Sequence, residues 1–284
     1  MSAATDVRAI DLHFLRPHSV GTLIRVGREE DGGYVVPAAA VEETRLLLGI
    51  GINDDWSFEE DFAVRNPAAR IVGVDGTAGL RLLYRKVASR ALQGIGSVLT
   101  FQFRKAARKF GYRAKIPRFR EFFSRHTFLR LMLRAQPERG GITLGQLVEK
   151  HRVPGGGEPD VFLKIDIEGG EYDVLRSAGS VLDAVLCLTV EFHDLDQHGN
   201  DLRDIAAAME TDFLVAHVHG NNYSPLIAGT AIPSVLEVTW LRRNLAPANP
   251  QPATGPWPVA GLDRPCNPKA ADYPLRFDEA DHRD

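Results

Sequence analysis

The residues best able to do chemistry gather at two places in the second half of the chain. One is Asp160 to Leu175, D-V-F-L-K-I-D-I-E-G-G-E-Y-D-V-L, where Asp166 and Glu168 stand two residues apart. The other is Glu191-Phe192-His193-Asp194. An imidazole beside carboxylates can take a proton from a hydroxyl, so His193 is the first choice for a general base, with Asp194 or Asp166 orienting it or neutralising its charge. His219 is the second choice. Asp166, Glu168 and Glu191 together can instead surround a hard cation such as Mg2+, which takes oxygen ligands and acidifies a bound hydroxyl. Plainer readings stand beside these: Glu168 as an acid at a helix N-terminus, His193 as a capping or buried structural histidine, and His217 as structural.

These residues need elements to position them. Val161 to Ile167 reads as a buried parallel strand, since its apolar residues are nearly continuous and only Lys164 and Asp166 interrupt them. A carboxylate inside such a run needs a partner. Gly169 and Gly170 allow a sharp exit into a helix from about Glu171 to Gly179, so both acids fall at the strand's carboxyl end, where open α/β sheets bind ligands. Val185 to Phe192 predicts another buried strand, ending at Glu191 and His193.

Upstream, Arg45 to Ile50 (R-L-L-L-G-I) predicts a buried strand, followed by a helix from Ser57 to Val64 whose Ser57 and Glu60 have capping-box spacing. Gly49 and Gly51 then lie on the strand-to-helix turn. Arg70 to Val74 predicts the next strand and ends at Asp75, 24 residues after Gly51. That is close to the separation of about 20 residues at which an acid after the second strand takes ribose hydroxyls. A G-x-G turn with such an acid points to an adenosine-type cofactor. The third glycine of the dinucleotide fingerprint is missing, because Asn53-Asp54-Asp55 stands there, and an acidic loop is a poor seat for a pyrophosphate. A cofactor with a cationic centre and no phosphate fits better, and S-adenosylmethionine is one; a nicotinamide oxidoreductase is disfavoured.

The remaining elements complete an α/β chain. Asp31-Gly32-Gly33 between β-prone runs, closed by Pro37, predicts a hairpin, preceded by a short amphipathic helix over residues 5–16 carrying Ile10, Phe14 and Leu15. A helix from Leu80 to Leu92 leads to an expected third strand at Val98 to Phe103. Ile142 to Lys150 predicts an amphipathic helix with Thr143 as N-cap, Gly155 to Gly157 a loop, and 201–210 a further helix. Phe213 to His219 and Val235 to Leu241 predict an antiparallel pair at one edge. The fold expected is Rossmann-like α/β, a mostly parallel sheet with an antiparallel edge hairpin and a basic helical insertion at about 104–140. Its organisation is residues 1–40 as helix and hairpin, 41–245 as the main domain, and 246–284 as a tail. Between Pro247 and Pro274 that tail holds 8 of the chain's 17 prolines, which precludes regular structure and leaves either disorder or a strap packing Trp257 and Tyr273.

With 284 residues, 44% hydrophobic and 25% charged, the chain has the composition of an ordinary soluble globular protein. Two cysteines, Cys187 and Cys266, make neither a disulfide framework nor a metal-ligand pattern, and a reducing cytoplasm is the expected compartment. The N-terminus lacks the pattern of a signal peptide, and nowhere do eighteen apolar residues run together. A net charge of −3 hides an asymmetry: from Arg81 to Arg139 there are 16 Lys or Arg against Glu121 and Glu138, a local +14, so the rest sums to −17. Aromatics interleave with arginine there, in what read as short helices broken at Gly111 and Pro117. Three uses compete, in this order: docking an anionic substrate or glycan, peripheral contact with an anionic membrane through about 104–134, and RNA contact.

Several segments resemble the FkbM-type methyltransferase family: L-L-L-G-I-G-I-N-D-D-W-S-F-E-E-D-F at 46–62, I-V-G-V-D-G-T at 71–77, F-L-K-I-D-I-E-G-G-E-Y-D-V-L at 162–175 and L-T-V-E-F-H-D-L at 188–195. D-G-G-Y-V-V-P at 31–37 and H-V-H-G-N-N-Y at 217–223 are similar too, whereas 104–140 departs from the pattern. The resemblance implies the class I methyltransferase version of the fold and S-adenosylmethionine-dependent O-methylation, commonly of sugar hydroxyls in glycans or natural products. It carries Gly49, Gly51 and Asp75 over as cofactor contacts, with Asp54 in the same loop, and Mg2+ as a cofactor of some related sugar methyltransferases. An RNA methyltransferase and a catalytically inactive binding protein working through the basic stretch are the alternatives.

Overall fold

A computed structural model describes residues 11–99, 111–153 and 158–277. Its centre is a seven-stranded sheet built from β3 (Leu46–Ile50), β4 (Arg70–Val74), β5 (Thr127–Leu129), β8 (Val161–Ile165), β9 (Val185–Phe192), β10 (Phe213–Gly220) and β11 (Leu236–Arg242), in the order β10-β11-β9-β8-β3-β4-β5. β5, β4, β3, β8 and β9 run parallel, and β11 is antiparallel to both β9 and β10. This is the expected Rossmann-like α/β class I methyltransferase arrangement. The chain enters the sheet at β3, builds outward through β4 to β5, then returns to β8 on the other side of β3. The switch point therefore lies between β3 and β8, where a crevice opens at their carboxyl ends.

Strand alternation divides the core. Leu46, Leu48 and Ile50 with Val161, Leu163 and Ile165 face one layer, which holds Leu144 and Leu147 of a helix at Leu144–His151, Tyr172, Val174 and Leu175 of one at Glu171–Arg176, and Leu202 and Ile205 of one at Leu195–Met209. Leu47 and Phe162 face the other, where Phe58 and Phe62 of the helix Ser57–Arg65 pack edge-on or tilted against Phe162 at 5.9 and 5.2 Å. In chain order the helices are α1 (Ala38–Glu43), α2 (Ser57–Arg65), α3 (Leu80–Leu99), α4 (Lys115–Arg125), α5 (Leu144–His151), α6 (Glu171–Arg176) and α7 (Leu195–Met209). The N-terminal hairpin, β1 (Leu23–Val26) with β2 (Tyr34–Pro37), is antiparallel as expected, and β2 packs against β10 and β11. Two short strands, β6 (Met132–Leu133) and β7 (Gly141–Ile142), pair beside the sheet.

Some expectations fail for physical reasons. The third parallel strand is not at 98–103, because Val98 and Leu99 end α3, and the edge is filled by Thr127–Leu129; residues 100–103 lie outside the described residues. Ser57 does not cap α2: Trp56 holds the cap position, Asp55 Oδ1 accepts the Ser57 N–H at 3.0 Å, and Glu60 takes the Trp56 indole N–H at 2.8 Å. Pro117 does not break the basic helix, since it is the third residue of α4, where an N–H has no intrahelical acceptor. α7 starts at Leu195 rather than 201. Thr143 does cap α5, through a capping box with Gln146. Of the expected N-terminal helix, residues 11–16 show a single 3-10 turn at His13–Leu15, and 5–10 are outside the described residues, as is the expected loop at 155–157.

The Pro-rich tail is a strap. Trp257 bridges Leu275 and packs edge-on against Phe277 at 4.8 Å, while the tail pairs with the N-terminal segment through Ala253 N–H to Pro17 O at 2.8 Å. Among the described residues, no helix is long and apolar enough to cross a membrane.

Candidate active site

A cleft of about 950 Å³ opens at the carboxyl ends of β3 and β8. Gly51, Asn53, Asp54, Glu59, Lys164, Asp166, Glu168, Glu191 and His193 all line it. Gly51 is at the bottom of the turn with φ +85°, and a Cβ there would lie 1.6 Å from the Asp166 carbonyl oxygen, so the two strand ends approach this closely only with glycine at 51. Among the described residues, Asn53, Glu168 and Asp194 are non-glycine positions with left-handed backbone, each shortly after a strand end, and Asn53 and Glu168 line the cleft. Such strained positions cluster where a site is pre-organised.

His193 leaves β9 toward the cleft. Its Nδ1 lies 3.2 Å from Oε1 of the fully buried Glu171, and the same oxygen accepts the His193 backbone N–H at 2.8 Å. Nε2 is left facing Glu191 Oε1 at 3.8 Å, Glu168 Oε2 at 3.9 Å and Asp166 Oδ1 at 4.0 Å. Burial works against the imidazolium, but the Glu171 hydrogen bond and the charges of Glu191, Glu171 and Asp166 outweigh it and raise the pKa to about 9. Glu191 is pushed the other way from an ordinary acid: burial first, then Asp166 and Glu237, hold its carboxyl protonated well above the usual range. Its oxygens accept from Tyr34 OH at 3.1 Å and Asn221 Nδ2 at 2.9 Å. The N-terminal hairpin and the H-V-H-G-N-N-Y turn thus both reach the same carboxyl.

Lys164 explains how β8 carries a charge. It is 5% exposed, donates to Gly51 O at 3.2 Å and Asp166 Oδ2 at 3.4 Å, and lies over the Tyr34 ring at 5.5 Å. Burial opposes its charge, yet Asp166, Glu59 and Glu191 keep its pKa raised.

The structure separates the expected site residues. Asp166, Glu191 and His193 come together, each placing one donor atom within 4.8 Å of the others. Glu168 stands beside them with an 84% exposed side chain. His219 does not join them: its Nδ1 meets Glu237 Oε2 at 3.1 Å and its Nε2 meets Asp272 Oδ2 at 2.9 Å, so both nitrogens are held and the ring stays protonated, tying the tail to β10 and β11. His217 is held by Asp263 at 2.8 Å, which fits its structural reading. The residue orienting His193 is Glu171 rather than Asp194, which occupies the N-cap of α7 without a side-chain cap bond. Glu171 was hidden because an acid in a helix's first turn needs no further reason.

Among the expected cofactor contacts, Gly51 and Asp54 line the cleft, whereas Gly49 lies within β3 beneath Glu59. Asp75 Oδ2 accepts the Asn53 N–H at 2.7 Å, and its Oδ1 accepts Thr77 N–H at 2.7 Å and Ala78 N–H at 2.8 Å, so it ties the loops after β3 and β4 together. Asp54 anchors the basic segment: Lys86 Nζ at 2.8 Å, the Tyr112 hydroxyl and Lys115 Nζ all engage its carboxylate. Burial opposes its ionisation, but the Lys86 and Tyr112 hydrogen bonds and Lys115 bring its pKa down to about 2. The interleaved aromatics are used in packing, with Phe119 and Tyr112 joining Ile52, Trp56 and Leu83 in a separate apolar cluster against the cleft wall. Phe119, Phe123 and Phe128 pack ring on ring at 4.6 to 5.1 Å.

Residues 124–224 match the model of the methyltransferase FkbM domain. That match covers about a third of the chain and is to a family of S-adenosylmethionine-dependent methyltransferases. The matched span of that domain contains Asp166, Glu168, Glu171, Glu191, His193 and Asn221, and leaves the Gly51 turn and α2 outside it. No curated protein matches the chain. Among solved structures, the O-methyltransferase TomG from Streptomyces achromogenes in complex with SAM is similar at 11% identity, covering 72% of this chain and 75% of that one, TM-score 0.35. An O-methyltransferase from Bacillus cereus in complex with SAH is similar at 11% identity, 72% and 76% coverage, TM-score 0.34. So is precorrin-6y C5,15-methyltransferase from Geobacter metallireducens GS-15, at 11% identity, 72% and 87% coverage, TM-score 0.34. At these scores the likenesses carry no argument about cofactor or acceptor.

Proposed function

We propose that the FkbM domain methylates a hydroxyl oxygen, of a sugar in a glycan or glycosylated natural product, with His193 as general base. The observation that supports this most is the fixing of His193: Glu171 holds Nδ1, and Nε2 alone faces the cleft among three carboxyl groups. Methyl transfer is an in-line displacement at a sulfonium carbon, so the protein has to align two reactants and remove one proton. The acceptor hydroxyl stands at Nε2 of the neutral ring and gives it the proton as the oxygen takes the methyl group. Because the same carboxyl groups that stabilise the imidazolium raise the His193 pKa to about 9, the base is competent only in the deprotonated fraction, and transfer should rise with pH toward about 9. The Gly51 turn is the place for the cofactor, which supplies the electrophilic methyl group when bound.

A second reading rests on the donor set. Asp166, Glu191 and His193 converge, and the carboxyl of Glu191 is held protonated by burial first and then by its acidic neighbours, an effect that a cation would oppose. Two carboxylates and an imidazole with exposed Glu168 beside them fit a divalent cation, Mg2+ among them, which would polarise the acceptor oxygen in place of the base. Methyl transfer from labelled S-adenosylmethionine to carbohydrate acceptor mixtures, with EDTA and with added Mg2+, tests both. Transfer unaffected by EDTA and lost in His193→Ala supports the base; transfer abolished by EDTA and restored by Mg2+ supports the cation; no transfer to any hydroxyl acceptor contradicts the proposal. At the cleft, Arg28 of the N-terminal hairpin pairs with Asp55 at 2.5 Å and Arg118 of the basic segment with Glu60 at 2.6 Å, so an anionic acceptor would have to compete with these acids.

A further inference from the structure

Position 49 and the Glu59 carboxylate share one space. A Cβ built on Gly49 would lie 2.2 Å from Glu59 Oε1 and 2.9 Å from its Cγ and Cδ, so β3 carries glycine there and α2 delivers a carboxylate into the place a side chain of the strand would occupy. Glu59 is 1% exposed, yet it lines the cleft one residue pair away from the Gly51 turn. Its Oε1 has no hydrogen-bond partner among the described residues. The nearest cation, Lys164, is the register partner of Gly49 on β8, but its ammonium donates to Gly51 O and Asp166 Oδ2. Burial raises the Glu59 pKa to about 7 although Lys164 opposes the rise. A buried carboxyl oxygen left without a donor is destabilising, and at a ligand cleft the missing donor is supplied by the ligand.

We propose that Glu59 is the residue that receives the α-ammonium of S-adenosylmethionine, fixing the amino-acid end of the cofactor at the carboxyl end of β3. This rests on the reading that the cleft takes that cofactor. An ammonium offers three donors and a full positive charge, which satisfies Oε1 and offsets the desolvation of the carboxylate together.

Isothermal titration with two ligands tests the assignment. S-adenosylhomocysteine keeps the α-ammonium, while 5′-methylthioadenosine has the same nucleoside and thioether but no amino-acid group. Glu59→Gln, which preserves shape and removes the charge, is expected to weaken S-adenosylhomocysteine by about 10- to 100-fold, the range of one charge-assisted hydrogen bond. Its affinity for 5′-methylthioadenosine should match that of the unsubstituted protein. Glu59→Asp, which draws the carboxylate back by one methylene, should fall between for the first ligand and leave the second unchanged. Equal weakening of both ligands would mean that Glu59 only holds the cleft open, and unchanged affinity for S-adenosylhomocysteine would remove it from the cofactor; either overturns the inference while leaving the cofactor reading intact. Absence of binding of either ligand to the folded, unsubstituted protein overturns the cofactor reading itself.

Discussion

Glu171 Oε1 accepts both the backbone N–H of His193, at 2.8 Å, and a hydrogen bond with its ring Nδ1, at 3.2 Å. One buried oxygen thus sets the position and the tautomer of the imidazole, joining the first turn of α6 to the end of β9. The proposed base acts from a ring that cannot rotate away from the cleft without breaking the Nδ1 contact.

That relation predicts a graded pair of variants. His193→Ala should lower the rate of methyl transfer by about 100- to 10,000-fold, the usual range for a lost general base. Glu171→Gln, which can still accept through its amide oxygen but no longer stabilises an imidazolium, should cost about 10- to 100-fold in rate while leaving S-adenosylhomocysteine affinity within about threefold. A larger loss of cofactor affinity than of rate in Glu171→Gln would show that the pair serves binding instead.

Gly51→Ala should be the most damaging single-methyl change in the cleft. Its Cβ would meet the Asp166 carbonyl oxygen at 1.6 Å on a residue with φ +85°. A loss of about 3 kcal/mol or more in urea unfolding is expected, or failure to fold. A stability within about 1 kcal/mol of the unsubstituted protein would mean that the two strand ends part easily.

Asp54 latches the basic segment to the loop after β3 through Lys86, Tyr112 and Lys115. Asp54→Asn should release residues 112–125 locally, at a cost of about 1–3 kcal/mol, seen as faster amide exchange there with little change in the central strands. Uniform protection in the variant would show that the aromatic cluster alone holds the segment.

Glu59 makes stability depend on pH in a direction unusual for a carboxyl. Its pKa rises on folding from 4.5 to about 7, so its contribution is fully present below 4.5, where it is protonated in both states, and is lost as pH rises through about 7. Glu59→Gln should therefore gain about 1–3 kcal/mol on the unsubstituted protein at pH 8 and almost nothing at pH 4.5. Urea unfolding at the two pH values measures this, and an equal gain at both would place the effect outside the ionisation of Glu59.

Much of the frame was legible. Nearly continuous apolar runs marked β3, β4, β8 and β9, and their acidic or histidine endings placed Asp166 and His193 on one edge of the sheet. The failures share a cause, which is dependence on distant chain. Val98 to Phe103 is an apolar run that period alone assigns neither to strand nor to helix, and three residues, Thr127–Leu129, suffice for an edge strand. His219 looked free because its partners, Glu237 and Asp272, are 18 and 53 residues away. Glu59 sits inside an ordinary-looking helix start, and only the glycine facing it on β3 shows why its carboxyl is buried.

The measurement that bears most directly on the whole account is transfer of a labelled methyl group from S-adenosylmethionine to carbohydrate acceptors, comparing the unsubstituted protein with His193→Ala and determining the bond formed. The account predicts an alkali-stable O-methyl ether, formed by the unsubstituted protein and reduced at least about 100-fold in His193→Ala, with S-adenosylhomocysteine affinity unchanged. Label found on nitrogen or carbon, or a His193→Ala protein as fast as the original, would contradict it.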